Sequence, residues 1–212
     1  MRLNDVLRKA KSEVTSFFEF RFQDRVPKLK GEIFWYMTDT RTGRRHNERR
    51  IGNLVVLDAS ILIARLLKDN QEPPFGAFVL AVGTGDSGWD PMNPPAATNT
   101  QRALYSELTR KTFTNTEFID SGGIPVAYPT NVVDYTCTYS EAEAVGPIVE
   151  MGILGGNIST NLSVRNPVSP PNGPYDPTVD LTAFETEINY LTFPVVNKPA
   201  TSTWTIVWRL TT

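Results

Sequence analysis

The sequence predicts a mainly β protein: an antiparallel, β-sandwich-like domain over residues 27–212 with one buried helix, preceded by an N-terminal helical arm over residues 1–26. Three observations carry this prediction. In "TSTWTIVWRLTT", Trp204, Ile206, Trp208 and Leu210 alternate with Thr203, Thr205, Val207 and Arg209, which gives a strand with one apolar face. The runs "GEIFWYMTD" and "RIGNLVVL" flank the turn-rich "TRTGRRHNERR", a hairpin pattern with Gly43 in the turn. Apolar residues at helical spacing stand out in only two stretches, one at the N-terminus and one from Asp58.

Taken in order, the first segment places Leu3, Val6, Leu7, Ala10, Val14, Phe17 and Phe18 on one side of a helix and Arg8, Lys9, Lys11 and Glu13 on the other. Such a stripe needs a cover in water, either its own domain or a neighbour. Pro27 and the charged "KLKGE" divide it from the β domain, so the expected cover is at least partly a neighbouring subunit, and these seven are the expected partner-binding residues. In the hairpin, Arg41, Arg44, Arg45, Arg49 and Arg50 make a local basic tip on an exposed loop. "DASILIARLLKDN" is apolar almost all round and reads as a buried helix with Asp58 as its N-cap. "FGAFVLAVG" is apolar on both faces, as a central strand covered on both sides is. "NTQRALYSELTRK" is too polar for a core and reads as a surface turn or short helix capped by Asn99 or Thr100. "VVDYTCTY", "PIVEMGIL", "EINYLTFPVV" and the C-terminal stretch read as strands. Within "RNPVSPPNGPYDPTVD", Pro167, Pro170, Pro171, Pro174 and Pro177 forbid regular helix or an inner strand, leaving a stiffened surface loop.

Charge and composition narrow the function. Lys and Arg number 21 against 23 Asp and Glu, a net charge of −2, so no global basic field exists to hold phosphates and no nucleic-acid partner is expected. Cys137 is the single cysteine and His46 the single histidine, which rules out an intrachain disulfide and a Cys/His zinc set. No apolar run reaches the roughly 18 to 20 residues that span a bilayer. The N-terminal "MRLNDVLRKAKSEV" lacks the continuous apolar core of a signal peptide, so synthesis in the cytosol and no membrane partner are expected.

"LAVGTGDSGWDPMNPP" imitates two active sites. Gly83, Gly85 and Gly88 fall on the G-x-G-x-x-G spacing, but a phosphate-cradling loop must open a helix, and Trp89, Pro91, Pro94 and Pro95 follow instead. "GDSG" copies the nucleophile motif of chymotrypsin-like proteases, yet Ser87 would have to use His46, which lies too early in the chain to follow a first barrel and sits in the hairpin tip. A turn explains these glycines. Asp86 and Asp90 lack the spacing of a calcium loop. Glu141, Glu143 and Glu150 are candidates for acid–base work only if a cleft gathers them, and "SEAEAVG" reads as an exposed turn. Cys137 shares a strand face with Val133, Tyr135 and Tyr139 and reads as a buried, inert thiol. No catalytic residue, cofactor or metal is expected.

The order of the motifs is more telling than any one of them. "NLVVLDASILIARLLKD", "LAVGTGDSGWDPMNPPAATNTQRALYSEL", "IVEMGIL" and "LTFPVVNKPATSTWTIVWRLTT" together resemble a family of bacteriophage virion proteins associated with tails, baseplates or fibres. Gly83, Thr84, Gly85, Pro95, Ala96, Ala97, Thr98, Thr100, Leu104 and Glu107 match a "GTG…PA…DT.L..E" loop. Glu150, Gly152 and Ile153 stand at "E.GL", and Phe193, Lys198, Thr203, Trp204 and Ile206 match the terminal pair "F…K…T.TW.I". The resemblance spans residues 50–212, and the "DSGWDPMN" insertion, the proline-rich loop and the N-terminal helix depart from it. It implies a non-enzymatic component of a virion, in the tail region, whose partners are other virion structural proteins repeated by the symmetry of the particle. A head-surface or neck protein is the nearest alternative. A β module binding a host glycan through Trp89, Tyr128 or Tyr175 is the alternative of another class, and a hydrolase using Ser87 comes last.

Overall fold

The computed structural model describes residues 29–68, 75–161, 171–173 and 185–212. The predicted arm, and with it the stripe from Leu3 to Phe18, lies outside the described residues, as do Tyr175 and most of the proline-rich loop. Among the described residues ten strands and one helix follow in the order β1 (Lys30–Asp39), β2 (Arg45–Val55), α1 (Leu57–Lys68), β3 (Phe75–Gly83), β4 (Glu107–Thr112), β5 (Asn115–Ile119), β6 (Pro125–Val126), β7 (Val132–Tyr139), β8 (Gly146–Gly156), β9 (Glu185–Lys198) and β10 (Ser202–Thr211). They form one sheet in the order β4-β3-β8-β9-β2-β1-β10-β7-β5-β6, with every neighbouring pair antiparallel. This is the mainly β, antiparallel architecture the sequence predicts.

The sheet folds over on itself into two facing halves, because two stretches of chain belong to both. β2 pairs with β1 as far as Asn53 and then hands Leu54 and Val55 to β9. At the other side only Phe113 and Thr114 separate β4 from β5, and the Thr114 N–H donates to the Thr136 carbonyl of β7 (2.7 Å). The first half, β2-β1-β10-β7-β5-β6, thus faces the second, β4-β3-β8-β9, across one core.

Register explains that core. Ile33, Trp208 and Tyr135 lie side by side on β1, β10 and β7; so do Trp35, Ile206 and Cys137, and then Met37, Trp204 and Tyr139. All of these but Tyr135 are fully buried. They meet Leu80, Val82, Ile148, Met151, Ile153 and Phe193 from the second half. Trp35 packs against Phe193 (5.1 Å between ring centroids) and edge-on against Trp204 (6.1 Å). The Tyr139 hydroxyl donates across the core to the Leu80 carbonyl (2.8 Å). Trp208 needs an acceptor for its indole N–H, and the Asn189 amide, oriented with its nitrogen toward the Ile188 carbonyl, presents its oxygen at 3.1 Å. As expected of "FGAFVLAVG", Val79, Leu80, Ala81 and Val82 are wholly buried, Leu80 and Val82 toward the core and Val79 and Ala81 toward a second, smaller cluster with Leu104, Leu154 and Tyr190 on the outside.

Four details differ from the sequence reading. α1 is buried on one face only: Ala59 and Leu62 pack inward, while Ile63, Leu66 and Leu67 are exposed because the helix lies at the open end of the sandwich. Asp58 does not cap it; the carboxylate is buried and accepts from Arg102 Nε (3.1 Å). The hairpin turn is confined to residues 40–44, with Gly43 at φ 68°, so Arg45, Arg49 and Arg50 belong to β2. "NTQRALYSELTRK" is a surface turn only at Asn99 and Thr100 and holds no helix: Gln101, Arg102, Ala103 and Leu104 are buried and Glu107–Thr112 is β4. The buried polar residues Gln101, Arg102 and Arg110 each find a partner inside, which composition alone does not reveal.

Trp208→Ala should destabilise the domain by about 3–5 kcal/mol, since it empties a fully buried aromatic site. Denaturant unfolding measures this, and an unchanged midpoint would contradict the assignment of the β10 inner face.

Candidate functional site

The loop after β3 is where the sequence imitates catalysis, and its geometry shows what the glycines do. A Cβ on Gly83 would lie against Glu150 Oε1 and the Ser106 carbonyl. Gly85 has φ 70°, and a Cβ there would come within 2.5 Å of the Trp89 ring and 2.7 Å of Val149. Both positions require glycine for packing. Asp86 accepts from the Gly88 N–H (2.8 Å) and Asp90 from the Met92 N–H (2.9 Å), so each closes its own turn. No helix follows the loop. The His46 ring bonds to Ser202 Oγ (3.2 Å), not to Ser87, which is exposed.

The group these turns surround is Glu150 of β8, whose side chain is fully buried. Oε1 accepts from the backbone N–H groups of Gly85 (3.1 Å) and Ser106 (2.9 Å); Oε2 accepts from the Tyr105 N–H (3.0 Å) and the Tyr190 hydroxyl (2.6 Å). Four donors converge on its two oxygens and fix the carboxyl group in place. Burial and the adjacent Glu150 charge push the Tyr190 phenol far above its ordinary range, so it remains a donor. The loop is pinned elsewhere too. The Thr84 N–H donates to the Ser106 carbonyl (2.8 Å), Val195 N–H to the Pro91 carbonyl (2.8 Å), Thr192 Oγ1 to the Pro95 carbonyl (2.6 Å) and Leu57 N–H to the Asn99 carbonyl (2.9 Å). The result is a lid of chain between β3 and β4 fastened over the outer face of the second half.

Beside this node lies a buried ionic cluster. Arg110 forks onto Glu107 (2.5 and 2.6 Å) and onto Glu185 (2.6 and 2.8 Å) and also reaches the Ser159 carbonyl (2.8 Å). Burial works against its charge, but the hydrogen bonds it donates to Glu107 and Glu185, with their negative charges, outweigh burial and raise its pKa above the usual arginine value. Glu187 is different: it is fully buried and neither carboxyl oxygen has a hydrogen-bond partner among the described residues. Burial, then the charges of Glu107 and Glu150, push its pKa well above the ordinary carboxylate range, and Arg110 offsets this only in part. The neutral acid is therefore the form the fold favours.

The remaining candidates are not brought together. Glu143 accepts from Lys111 Nζ (2.6 Å) and the Ser140 N–H (2.7 Å) in the β7–β8 turn, and Glu141 is exposed in the same turn, both apart from the Glu150 hydrogen-bond set. Burial pushes the Cys137 thiol up to about 12, the inert state expected for it. Among the described residues no three of His, Cys, Asp and Glu are grouped as metal ligands. Trp89 stacks edge-on against Tyr105 (4.7 Å) at the rim of a pocket of about 100 Å3, while Tyr128 stands exposed. A wider trough of about 520 Å3 runs over the outer face of the first half, where Arg50 clasps Glu32 (2.6 and 2.7 Å) and Arg209 clasps Asp134 (2.7 and 2.8 Å). Sequence reasoning missed the ionic cluster altogether; the signal was the pair Glu185 and Glu187, two residues apart on one face at the start of an inner strand.

Two outcomes test this site. Glu150→Gln turns an amide N–H toward donors at Tyr105 and Tyr190 and should cost roughly 3 kcal/mol or more, from two charge-assisted bonds at about 1.5–3 kcal/mol each; a loss under about 1 kcal/mol in urea unfolding would show the node to be dispensable. Glu187 has a folded pKa above its unfolded value, so its stabilising contribution is complete below pH 4.5 and is lost as pH rises toward the folded pKa. Glu187→Gln should match wild type near pH 4 and gain on it as pH rises, by about 1.4 kcal/mol per pH unit until the folded pKa is passed. Thermal melts from pH 4 to 9 read this, and parallel curves would contradict it.

No protein-family model, curated protein sequence or solved structure matches this chain.

Proposed function

We propose that this chain is a non-enzymatic structural component of a bacteriophage particle, in the tail, baseplate or fibre region, acting through contacts with other virion proteins. The observation that carries the reading is where the resembling residues fall. Gly83, Gly85, Leu104, Glu107, Glu150 and Gly152 are all gathered around the buried node of the second half, and Phe193, Trp204 and Ile206 lie in the core. The shared motif order is thus a scaffold that fixes a lid loop on a sheet, which is what a protein needs if its work is to hold a shape against neighbours. The "GDSG" stretch belongs to that scaffold, with its glycines used for close approach and its aspartate used in a turn.

For the glycan-binding alternative, Trp89 is half-buried against Tyr105 and Gly85 at the rim of a pocket of only about 100 Å3, and Tyr128 stands exposed apart from it.

The role is tested by quantifying this chain, by mass spectrometry, in density-purified phage particles from its source, and by antibody labelling under the electron microscope. The expected result is a fixed copy number per particle and label at the tail end. Absence from purified particles, or assembly of normal infectious particles when the gene is deleted, would overturn the reading; label on the head would move it to the head-surface alternative.

A further inference from the structure

At the open end of the sandwich an apolar groove of about 190 Å3 runs between α1 and the strand ends, walled by Leu29, Leu62, Ile63, Leu66, Ile188 and Leu210. Leu62 is buried, but Ile63 and Leu66 are 46% and 41% exposed, and on the same helix Leu67 is 82% exposed. Such an apolar wall on a helix that already packs one face against β9 lacks only a second layer.

We propose that this groove is filled by the chain's own N-terminal segment, residues 3–18, lying as an amphipathic helix against α1. Three facts point to this occupant. The first described residue, Leu29, is itself a wall of the groove, so the 28 residues before it leave from the groove's own rim. Those residues hold the apolar stripe Leu3, Val6, Leu7, Ala10, Val14, Phe17 and Phe18, a complement to Ile63 and Leu66. The reach is adequate: sixteen helical residues span about 24 Å. The ten residues 19–28 stretch to roughly 33–36 Å, ample to turn back. A tethered segment so close to its groove has an effective concentration near millimolar, which favours it over a neighbour's copy in dilute solution. The stripe then belongs to the intrachain core rather than to a partner contact. This inference stands independently of the particle role.

The test uses the full chain with Leu66→Cys labelled by a maleimide benzophenone; Cys137 is fully buried with its thiol pushed up to about 12, so labelling is confined to the new thiol. After photolysis, peptide mass spectrometry should find the adducts in residues 1–28 of monomeric protein, at a yield independent of concentration. Arg41→Cys, at the far end of β1, is the control and should give none there. Adding Val14→Asp should cut the segment's adducts several-fold. Adducts found only in covalent dimers would assign the groove to a second copy, and adducts confined to residues 29–212, or unaffected by Val14→Asp, would equally overturn the proposal. Should Leu66→Cys fold poorly, Ile63→Cys reads the same groove from the preceding turn.

Discussion

A carboxylate with no access to water must find its hydrogen bonds inside the protein, and much of this structure follows from how Glu150 does so. Its four donors come from three places in the chain: the turn after β3, the approach to β4, and β9. Apolar packing alone does not fix the loop between β3 and β4, which is rich in proline, glycine and small residues and whose buried apolar side chains are Ala103 and Leu104. The carboxylate therefore supplies direction where the hydrophobic effect supplies only bulk. Its four bonds, with those from Val195, Thr192 and Leu57 to the loop's carbonyls, fasten a lid of more than twenty residues in one place.

The lid in turn borders the buried ionic cluster. Its Leu104 and Ala97 join Val79, Ala81, Leu154 and Tyr190 on the outer face of the second half, beside the buried side chains of Arg110, Glu107, Glu185 and Glu187. Arg110 is matched to two carboxylates in forked geometry, which is the arrangement that best recovers the cost of burying a guanidinium. Among the described residues the third carboxylate, Glu187, has no hydrogen-bonding cation of its own. Glu187 is left to meet the burial as a neutral acid, at the cost of two oxygens with no partner among the described residues. The cluster is thus less an ion-pair network that stabilises the fold than a set of polar groups whose geometry admits only one arrangement of β4 against β9.

What the sequence disclosed and what it hid divide along the same line. A strand that buries one face against the core announces itself by alternation, as β10 does, while β3, β8 and β9, buried on both faces over most of their length, were legible as largely apolar runs. β4 was not, because Arg110 and Glu107 look like solvent-facing residues in the sequence and are buried as an ion pair in the fold. The glycines of the loop were read correctly as turn residues, but their reason, close approach to Glu150 and Trp89, depends on residues 4 to 67 positions away. Glu150 itself looked like a possible acid–base group; only the converging N–H groups distinguish an anchor from a catalyst. α1 looked buried all round because its composition does not say how many layers lie outside it.

The two halves also differ in what they offer a neighbour. At the ends of the strand order, β6 has only two residues and β4 is turned toward β7 through Thr114, so neither end presents a long flat strand for pairing with another chain. The outer face of the second half is occupied by its own lid. That leaves the solvated face of the first half, where Arg50, Glu32, Arg209 and Asp134 form paired charges across four strands, and the hairpin turn with Arg41 and Arg44 beyond them. Charges already paired within the chain contribute little net attraction to a partner but do penalise a misaligned one, so such a face is suited to selecting the register of a contact more than to supplying its strength. If copies of this chain are held in a particle, the strength must then come from apolar surface elsewhere, and a groove closed by the chain's own segment would leave that to the exposed side chains around the lid and turns, Met92, Ile124, Tyr128 and Val145.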